Sequence, residues 1–394
     1  MRLTLVTETF PPELNGVART LGRWAETFSR RGHAVDVIRP LRPTERESED
    51  SILPLPVPFY PQVRMGLALP RQLARRFRAH LTQIVHIATE GPLGLAALFA
   101  ARWLRLPVAS SFHTNFDHYL SHYGLAGWEW CARTYLRWFH NRTAVTLVPS
   151  QATLTRLDRA GFQRLALWPR GVDGQLFHPQ RRDDRLRAEL GLQPDDLLLL
   201  YVGRLAWEKN LGVLLNAFAQ MRHQAGTQGQ RIKLALVGDG PLLANLRERA
   251  MPEVHLAGPE QGLALARWFA SADVFAFPSR SETFGNVILE AQASGLPVVA
   301  FRYPALEERI RHGEDGLLLG DDAELAPCLV ALCQDSAWRR RLGQAARLTA
   351  ERQTWEPIFD RLEATYARLI PTPSTRRVPR GQRLLIPHAA SWTL

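Results

Sequence analysis

Glu290 stands in an apolar run, with Val287, Ile288, Leu289, Ala291 and Ala293 around it in the segment SETFGNVILEAQASG, residues 281–295. A carboxylate inside a core is expensive unless donors reach it. Two ribose hydroxyls would serve, as would an arginine or backbone amides. Eight residues earlier, Glu282 falls just outside the predicted helix. The start of that helix near Phe284, Gly285 and Asn286 offers free amides and a positive dipole end to phosphate or sugar oxygens. A second cluster is LLLLYVGRLAWEKN, where Arg204 and Lys209 follow an apolar strand with Glu208 between them. Arginine's planar fork and lysine's point charge suit a diphosphate. A solvated loop with an ordinary Glu–Lys pair would carry the same residues.

Further positions share that strand-end placement. VGDGPLL sets Gly238 and Gly240 on a strand-to-helix turn, close to the dinucleotide fingerprint but with Leu243 where glycine or alanine is needed. That argues against a nicotinamide dehydrogenase. The turn either lets a nucleotide approach the backbone or is purely structural. TETFPPELNGVAR puts Asn15 and Gly16 between the first strand and a helix, where amides can hold phosphate or a sugar hydroxyl. SSFHTNF and PRGVD put His113, Arg170 and Asp173 just past two other strands. A histidine so placed is either structural or in contact with a ligand.

These positions depend on the elements before and after them. Strand-like runs RLTLVT, AVDVI, IVHIA, VASSF, AVTLVP and LALWP alternate in the first half with helices predicted near 16–30, 93–104, 128–140 and 151–160. DLLLLYVGR, KLALVG, VHLAG, VFAFPS and PVVAF alternate in the second half with helices near 211–221, 242–250, 263–270 and within 281–295. Continuous apolar strands between helices indicate parallel sheets covered on both faces. Two such runs, joined near 171–180, imply two doubly wound, Rossmann-like α/β domains facing across a cleft, with ligands at the carboxyl ends of strands. The expected division is 1–172 with a returning helix at about 354–370, then 173–353, then a basic Pro- and Arg-rich tail, 371–394.

Composition sets the class. The chain has 394 residues, 46% hydrophobic and 22% charged, which excludes global disorder. Three cysteines without metal-ligand spacing imply a reduced, cytoplasmic compartment. MRLTLVTETFPP lacks a signal-peptide pattern, and the longest apolar run, GPLGLAALFAA, is too short to span a bilayer. The net charge of +11 is uneven: residues 1–174 hold 22 Arg and no Lys against 13 acidic residues, whereas 175–370 hold 23 basic against 25 acidic. Such asymmetry points to an anionic surface met by the first half. A basic helix expected over 69–85 gathers Arg71, Arg75, Arg76 and Arg78 with Leu73, Phe77 and Leu81. It suits anionic lipid, or else is a solvated helix with one buried edge. GWEWCARTYLRWFHNR adds aromatic and basic residues to the same half. The expected location is peripheral, on the inner face of the cytoplasmic membrane.

In chain order, NGVART, FHTNF, PRGVD, GRLAWEKN, VGDGP and SETFGNVILEAQASGLPVVA resemble the retaining glycosyltransferases of family 4 (glycosyl transferases group 1), which have the two-domain GT-B fold. The resemblance covers roughly residues 1–370, and its E-x7-E segment is the most specific part. FHTNF, WPRGVD and TWE resemble the lipid-acting branch: GDP-mannose-dependent α-mannosyltransferases, sulfoquinovosyl- and glucosyl-diacylglycerol synthases, and phosphatidylinositol mannosyltransferases. The resemblance implies that Arg204 and Lys209 clamp the donor diphosphate and that Glu290 binds the ribose hydroxyls. It further implies that Glu282 meets the donor sugar near its reacting end, with amides of Phe284 and Gly285 on sugar or phosphate oxygens. His113 would touch the sugar from the opposite domain, and Gly16 would border the phosphate. The family often has Asn where Arg170 stands, a departure that fits the lipid-acting branch and leaves the role of Arg170 open.

The implied reaction moves a mannose- or glucose-type hexose from a nucleotide sugar, GDP-mannose or UDP-glucose in type, to a membrane lipid or glycolipid, forming an α-glycosidic bond. Cations and helix amides would stabilise the departing diphosphate. No Asp-x-Asp occurs in the sequence, and the expectation is metal independence, with no cofactor beyond the nucleotide-sugar co-substrate. Other readings are the same chemistry on a lipopolysaccharide or exopolysaccharide intermediate, and a GT-B epimerase or phosphorylase. The phosphorylase needs a pyridoxal-bearing lysine, and only Lys209 and Lys233 exist. A basic nucleic-acid-binding protein would leave the Glu282–Glu290 unit unexplained, so no nucleic-acid partner is expected.

Overall fold

The computed structural model describes residues 1–13, 15–42, 45, 51–57, 60–113, 129–249, 251–280 and 285–371. The strands are β1 (Arg2–Val6), β2 (Ala34–Ile38), β3 (Leu53–Val57), β4 (Tyr60–Leu67), β5 (Ile84–Ile87), β6 (Val108–Ser111), β7 (Val145–Val148) and β8 (Leu165–Leu167) in the first half. The second half holds β9 (Leu197–Val202), β10 (Ile232–Val237), β11 (Val254–Gly258), β12 (Val274–Phe277), β13 (Val298–Phe301) and β14 (Leu317–Leu319). They form two six-stranded sheets, ordered β2-β1-β5-β6-β7-β8 and β11-β10-β9-β12-β13-β14, and every pairing within them is parallel. Strands such as VTLV and VFAF are buried at every position, because helices cover both faces. The fold is the expected pair of doubly wound α/β units.

Two local expectations need correction. The basic helix expected over 69–85 stops at Ala79. Leu81 takes a left-handed conformation, φ 53°, and Ile84–Ile87, within the expected strand IVHIA, forms β5 beside β1. Central pairing of that apolar tetrad outweighs continuing the helix. The antiparallel pair β3–β4 was not foreseen, since LPLPV carries prolines that count against a strand; a two-stranded ribbon outside the main sheets tolerates them.

The chain crosses between the two sheets twice, and the crossings are tied together. Val172 donates its N–H to the Gln353 carbonyl at 2.9 Å, and Val172 bridges Thr354. Beyond this hinge the helix Trp355–Leu369 returns to the first sheet, where Ile358, Phe359, Leu362 and Tyr366 pack with Trp24 and Phe28. Arg31 pairs with Glu356, Asp360 and Glu363 along one side of that helix.

Candidate functional site

A doubly wound sheet opens a crevice where the strand order reverses, outside the carboxyl ends of the strands. In the second sheet that point lies between β9 and β12, which are paired neighbours. Arg204 and Lys209 follow β9; Ser279, Gly285 and the helix Asn286–Ala293 follow β12. Lys209 Nζ donates to Ser279 Oγ at 3.4 Å, Asn210 Nδ2 donates to the Pro278 carbonyl at 3.3 Å, and Arg204 lies 3.7 Å from Glu208. Both expected cations are thus gathered at one crevice. Gly285 caps the helix with φ 77°, a left-handed turn that glycine adopts without strain.

Gly238 sits beside this cluster for a structural reason. A Cβ there would lie 1.9 Å from the Gly203 carbonyl oxygen at φ 144°, so the turns after β9 and β10 can close together only over glycine. Glu282 and Phe284 lie outside the described residues.

Across the crevice stands the helix Gly16–Arg30, at the first sheet's own reversal point between β1 and β5. Asn15 caps it, its Oδ1 accepting from the Ala18 N–H at 2.8 Å. A Cβ on Gly16 would come within 3.2 Å of Asn286 Nδ2, so the N-termini of the two helices meet. Asn286 and Glu290, four residues apart, share a helix face, as do Gly16, Arg19 and Arg23 on the opposing helix. Arg19 Nη2 donates to Glu290 Oε1 at 2.6 Å, and Arg23 pairs with Asp173 at 2.9 Å. Glu290 is 5% exposed. Its Oε2, like Asn286 Oδ1, is buried with no partner among the described residues. Burial raises the Glu290 carboxyl above its ordinary range, against the pull of Arg19. Of the three partners that would satisfy Glu290, an arginine takes one oxygen and leaves the other with spare accepting capacity.

His113, two residues past β6, is 8% exposed. Its Nδ1 accepts from Arg170 Nη2 at 2.7 Å, and its Nε2 has no partner among the described residues. Burial, then the charge of Arg170, hold this ring well below the usual histidine range.

The sequence reading missed Arg19, Glu8 and the side chain of Asn286. Arg19 and Asn286 matter only through a contact between residues 271 apart in the case of Arg19 and Glu290, and a helix period alone carries no such signal. Glu8, at the end of β1, accepts from the Leu93 N–H at 3.4 Å, and burial pushes its carboxyl up to about 7. Its strand-end position was the available signal.

Family comparisons agree with this geometry. Residues 14–176 match the model described as Glycosyltransferase Family 4, and residues 196–335 match the one described as Glycosyl transferases group 1. The chain is 33% identical over 395 residues to a GDP-mannose-dependent alpha-mannosyltransferase of Corynebacterium glutamicum, covering 96% of this chain and 91% of that protein. It is 28% identical to an alpha-monoglucosyldiacylglycerol synthase of Streptococcus pneumoniae, covering 84% and 78% of the two. In fold it is similar to sucrose-phosphate synthase from Thermosynechococcus elongatus, with a TM-score of 0.74 at 21% identity over 94% of this chain and 99% of the other. The chain belongs to glycosyltransferase family 4 and is a GT-B hexosyltransferase.

Proposed function

We propose that this protein transfers a hexose from a nucleotide-diphosphate sugar to a membrane lipid or glycolipid, with retention of the α configuration. The observation that carries this reading is the crevice itself: two cations after β9, a helix N-terminus after β12, and a buried carboxylate with one oxygen unpartnered among the described residues. In this reading Arg204 and Lys209 take the diphosphate, offsetting charge that grows as the anomeric C–O bond breaks. Glu290 Oε2 accepts from a ribose hydroxyl, while amides of Gly285 and its neighbour Phe284, with Gly16, border the phosphate and sugar. Glu282 stabilises positive charge near the anomeric carbon, and His113 approaches the sugar from the first domain. Residues 173–353 serve the donor; residues 1–172 with the returning helix at 354–370 serve the acceptor. The cationic residues do the work that a metal does elsewhere, so chelators leave turnover unchanged. A GDP-mannose or UDP-glucose type of donor is favoured by relatives named for GDP-mannose and for glucosyldiacylglycerol.

The acceptor side has its own support. Arg71, Arg75 and Arg78 line a depression of about 400 Å³ with Leu69 and Trp103, which are 72% and 59% exposed. Arg76 turns inward to Asp36, at 2.7 Å. Exposed apolar side chains ringed by arginines fit an anionic membrane surface, the acyl boundary below and phosphates around. Among the described residues no helix is long and apolar enough to cross a membrane; the contact proposed here is peripheral, through this face.

A screen of nucleotide sugars against total lipid extract, following release of GDP or UDP, tests the reaction. The expected result is one donor turned over only when lipid is present. Turnover with a water-soluble sugar acceptor and none with lipid would defeat the acceptor assignment. Flotation with anionic liposomes at low salt tests the membrane face, with Arg71→Glu/Arg75→Glu expected to abolish binding.

A further inference from the structure

We propose that Arg170 is a positioning residue: it holds His113 in the Nε2–H tautomer, so that the ring presents a hydrogen-bond donor to an oxygen of the donor sugar. The inference rests on the hexosyl-transfer reading for the identity of that oxygen, but not for the tautomer.

The argument begins with sheet order. His113 lies two residues past β6 and Arg170 three past β8, with β7 between those strands. Arg170 must therefore span the end of β7 to reach the ring. It does so from a fixed base: its guanidinium lies 4.6 Å from the centroid of the Trp168 ring, and Nη1 donates to the Trp168 carbonyl at 3.0 Å. The His113 ring packs against the same indole, centroids 5.7 Å apart. Arg170 is 5% exposed, so this stack is shielded from water.

The proton assignment follows from chemistry. A guanidinium has N–H donors and no acceptor. With Arg170 Nη2 at 2.7 Å from His113 Nδ1, Nδ1 must accept, and a neutral ring then carries its proton on Nε2. Protonating Nδ1 would set N–H against N–H and bring two cations together. His86 and His140 add to the opposition, after burial and Arg170. Nε2–H is then a donor with no acceptor among the described residues. A buried donor without an acceptor is costly, and a sugar oxygen placed there relieves it. Arg170 touches no reacting atom in this scheme; it acts through His113.

Uniformly ¹⁵N-histidine-labelled protein reads the tautomer directly by long-range ¹H–¹⁵N correlation, with the His113 signals assigned by their loss in His113→Asn. The expected wild-type pattern is a protonated Nε2 and an unprotonated Nδ1 across pH 6–8, a window chosen around the usual histidine value of about 6.5. Arg170→Met keeps the length and removes the donors. It should give a mixed tautomer and lower kcat by about 100-fold, with the donor KM changed far less, as misplacing a group without removing it does. Arg170→Lys, which restores a cation and a donor, should recover the Nε2–H tautomer and part of kcat; Arg170→Gln, whose amide can donate or accept, should also give a mixed tautomer and stands in if the methionine variant fails to fold. An unchanged His113 pattern in Arg170→Met overturns the positioning role even if kcat falls, and a wild-type ring protonated on Nδ1 overturns it without any variant. A wild-type enzyme that shows the Nε2–H pattern yet turns over no nucleotide sugar overturns the sugar contact alone and sinks the functional reading separately.

Discussion

The two sheets carry the same topology class but are filled differently. The second is built round one continuous apolar cluster running from Val172 to Ala350. The first divides its apolar side chains among three clusters, and hydrogen-bonded polar groups lie between them. Trp24 Nε1 donates to Tyr366 Oη at 3.1 Å, leaving that hydroxyl to donate to His86 Nδ1 at 2.7 Å. His140 bridges Ser110 Oγ and Glu90 Oε1 at 2.9 and 3.0 Å. Buried networks of this kind specify position more than they add stability, since every group must find its partner. The difference teaches where precision is needed. The returning helix Trp355–Leu369 is keyed to the first domain by Tyr366, whereas the second domain, which also pairs buried charges such as Arg187 with Asp273 and Asp315 with Arg311, places its chemistry on strand ends above one continuous apolar cluster.

The largest effect should come from the second domain's cations. Lys209→Ala and Arg204→Ala each remove a charge from the crevice while leaving the core beneath untouched. A kcat/KM loss of about 1,000-fold is expected for each, comparable to removing a preorganised stabiliser of developing negative charge. Thermal midpoints should stay near wild type. A tenfold or smaller loss in both would mean that the diphosphate lies elsewhere.

This contrast also explains what was legible in the sequence. The second domain's candidate residues all follow β9 or β12, with Arg204, Lys209 and Gly285 in the loops and Glu290 inside the next helix, so local pattern alone was enough to single them out. Gly238 was legible as a turn but not as the glycine that lets the Gly203 carbonyl come close. The first domain hides its contribution. Arg19 reads as one more charge on an amphipathic helix until the two helix N-termini are brought together, and Arg170 gains meaning only when β6 and β8 flank β7. The basic helix over 69–85 was drawn too long, into the strand run IVHIA, because no glycine or proline separates the charged helix from that strand. Periodicity assigns elements, while long-range pairing assigns partners.

Arg19 tests whether the cross-cleft contact serves the donor. Glu290 must be ionised to accept ribose hydroxyls best, and its carboxyl is already raised by burial. Donor affinity should therefore strengthen as pH rises through the Glu290 pKa. Arg19 opposes the shift, so Arg19→Ala raises that pKa further and moves the affinity rise to higher pH. At neutral pH the donor KM should increase by about tenfold, the loss of one charge-assisted hydrogen bond at the carboxylate. KM profiles against pH for wild type and variant check it; an unmoved profile would leave Arg19 as a domain clasp only.

The smallest effects come from one chemical change made in both domains. Tyr366→Phe removes the hydroxyl that joins Trp24 to His86, leaving two buried polar groups unpaired. A loss of about 2 kcal/mol in stability is expected, read as a lowered thermal midpoint, with kcat little altered because no reacting group moves. Tyr201, fully buried on β9, donates its hydroxyl to the Arg204 carbonyl at 3.0 Å. Tyr201→Phe should cost less stability, about 1 kcal/mol, because the carbonyl it releases lies on a loop that water can reach. It should cost more in turnover, several-fold in kcat, because the backbone carrying Arg204 loses an anchor. The two tyrosines thus predict opposite rankings of stability and rate from the same deleted oxygen. If both variants lose stability alone, Tyr201 is a structural anchor like Tyr366 and does not position Arg204, and the contrast drawn between the two tyrosines fails.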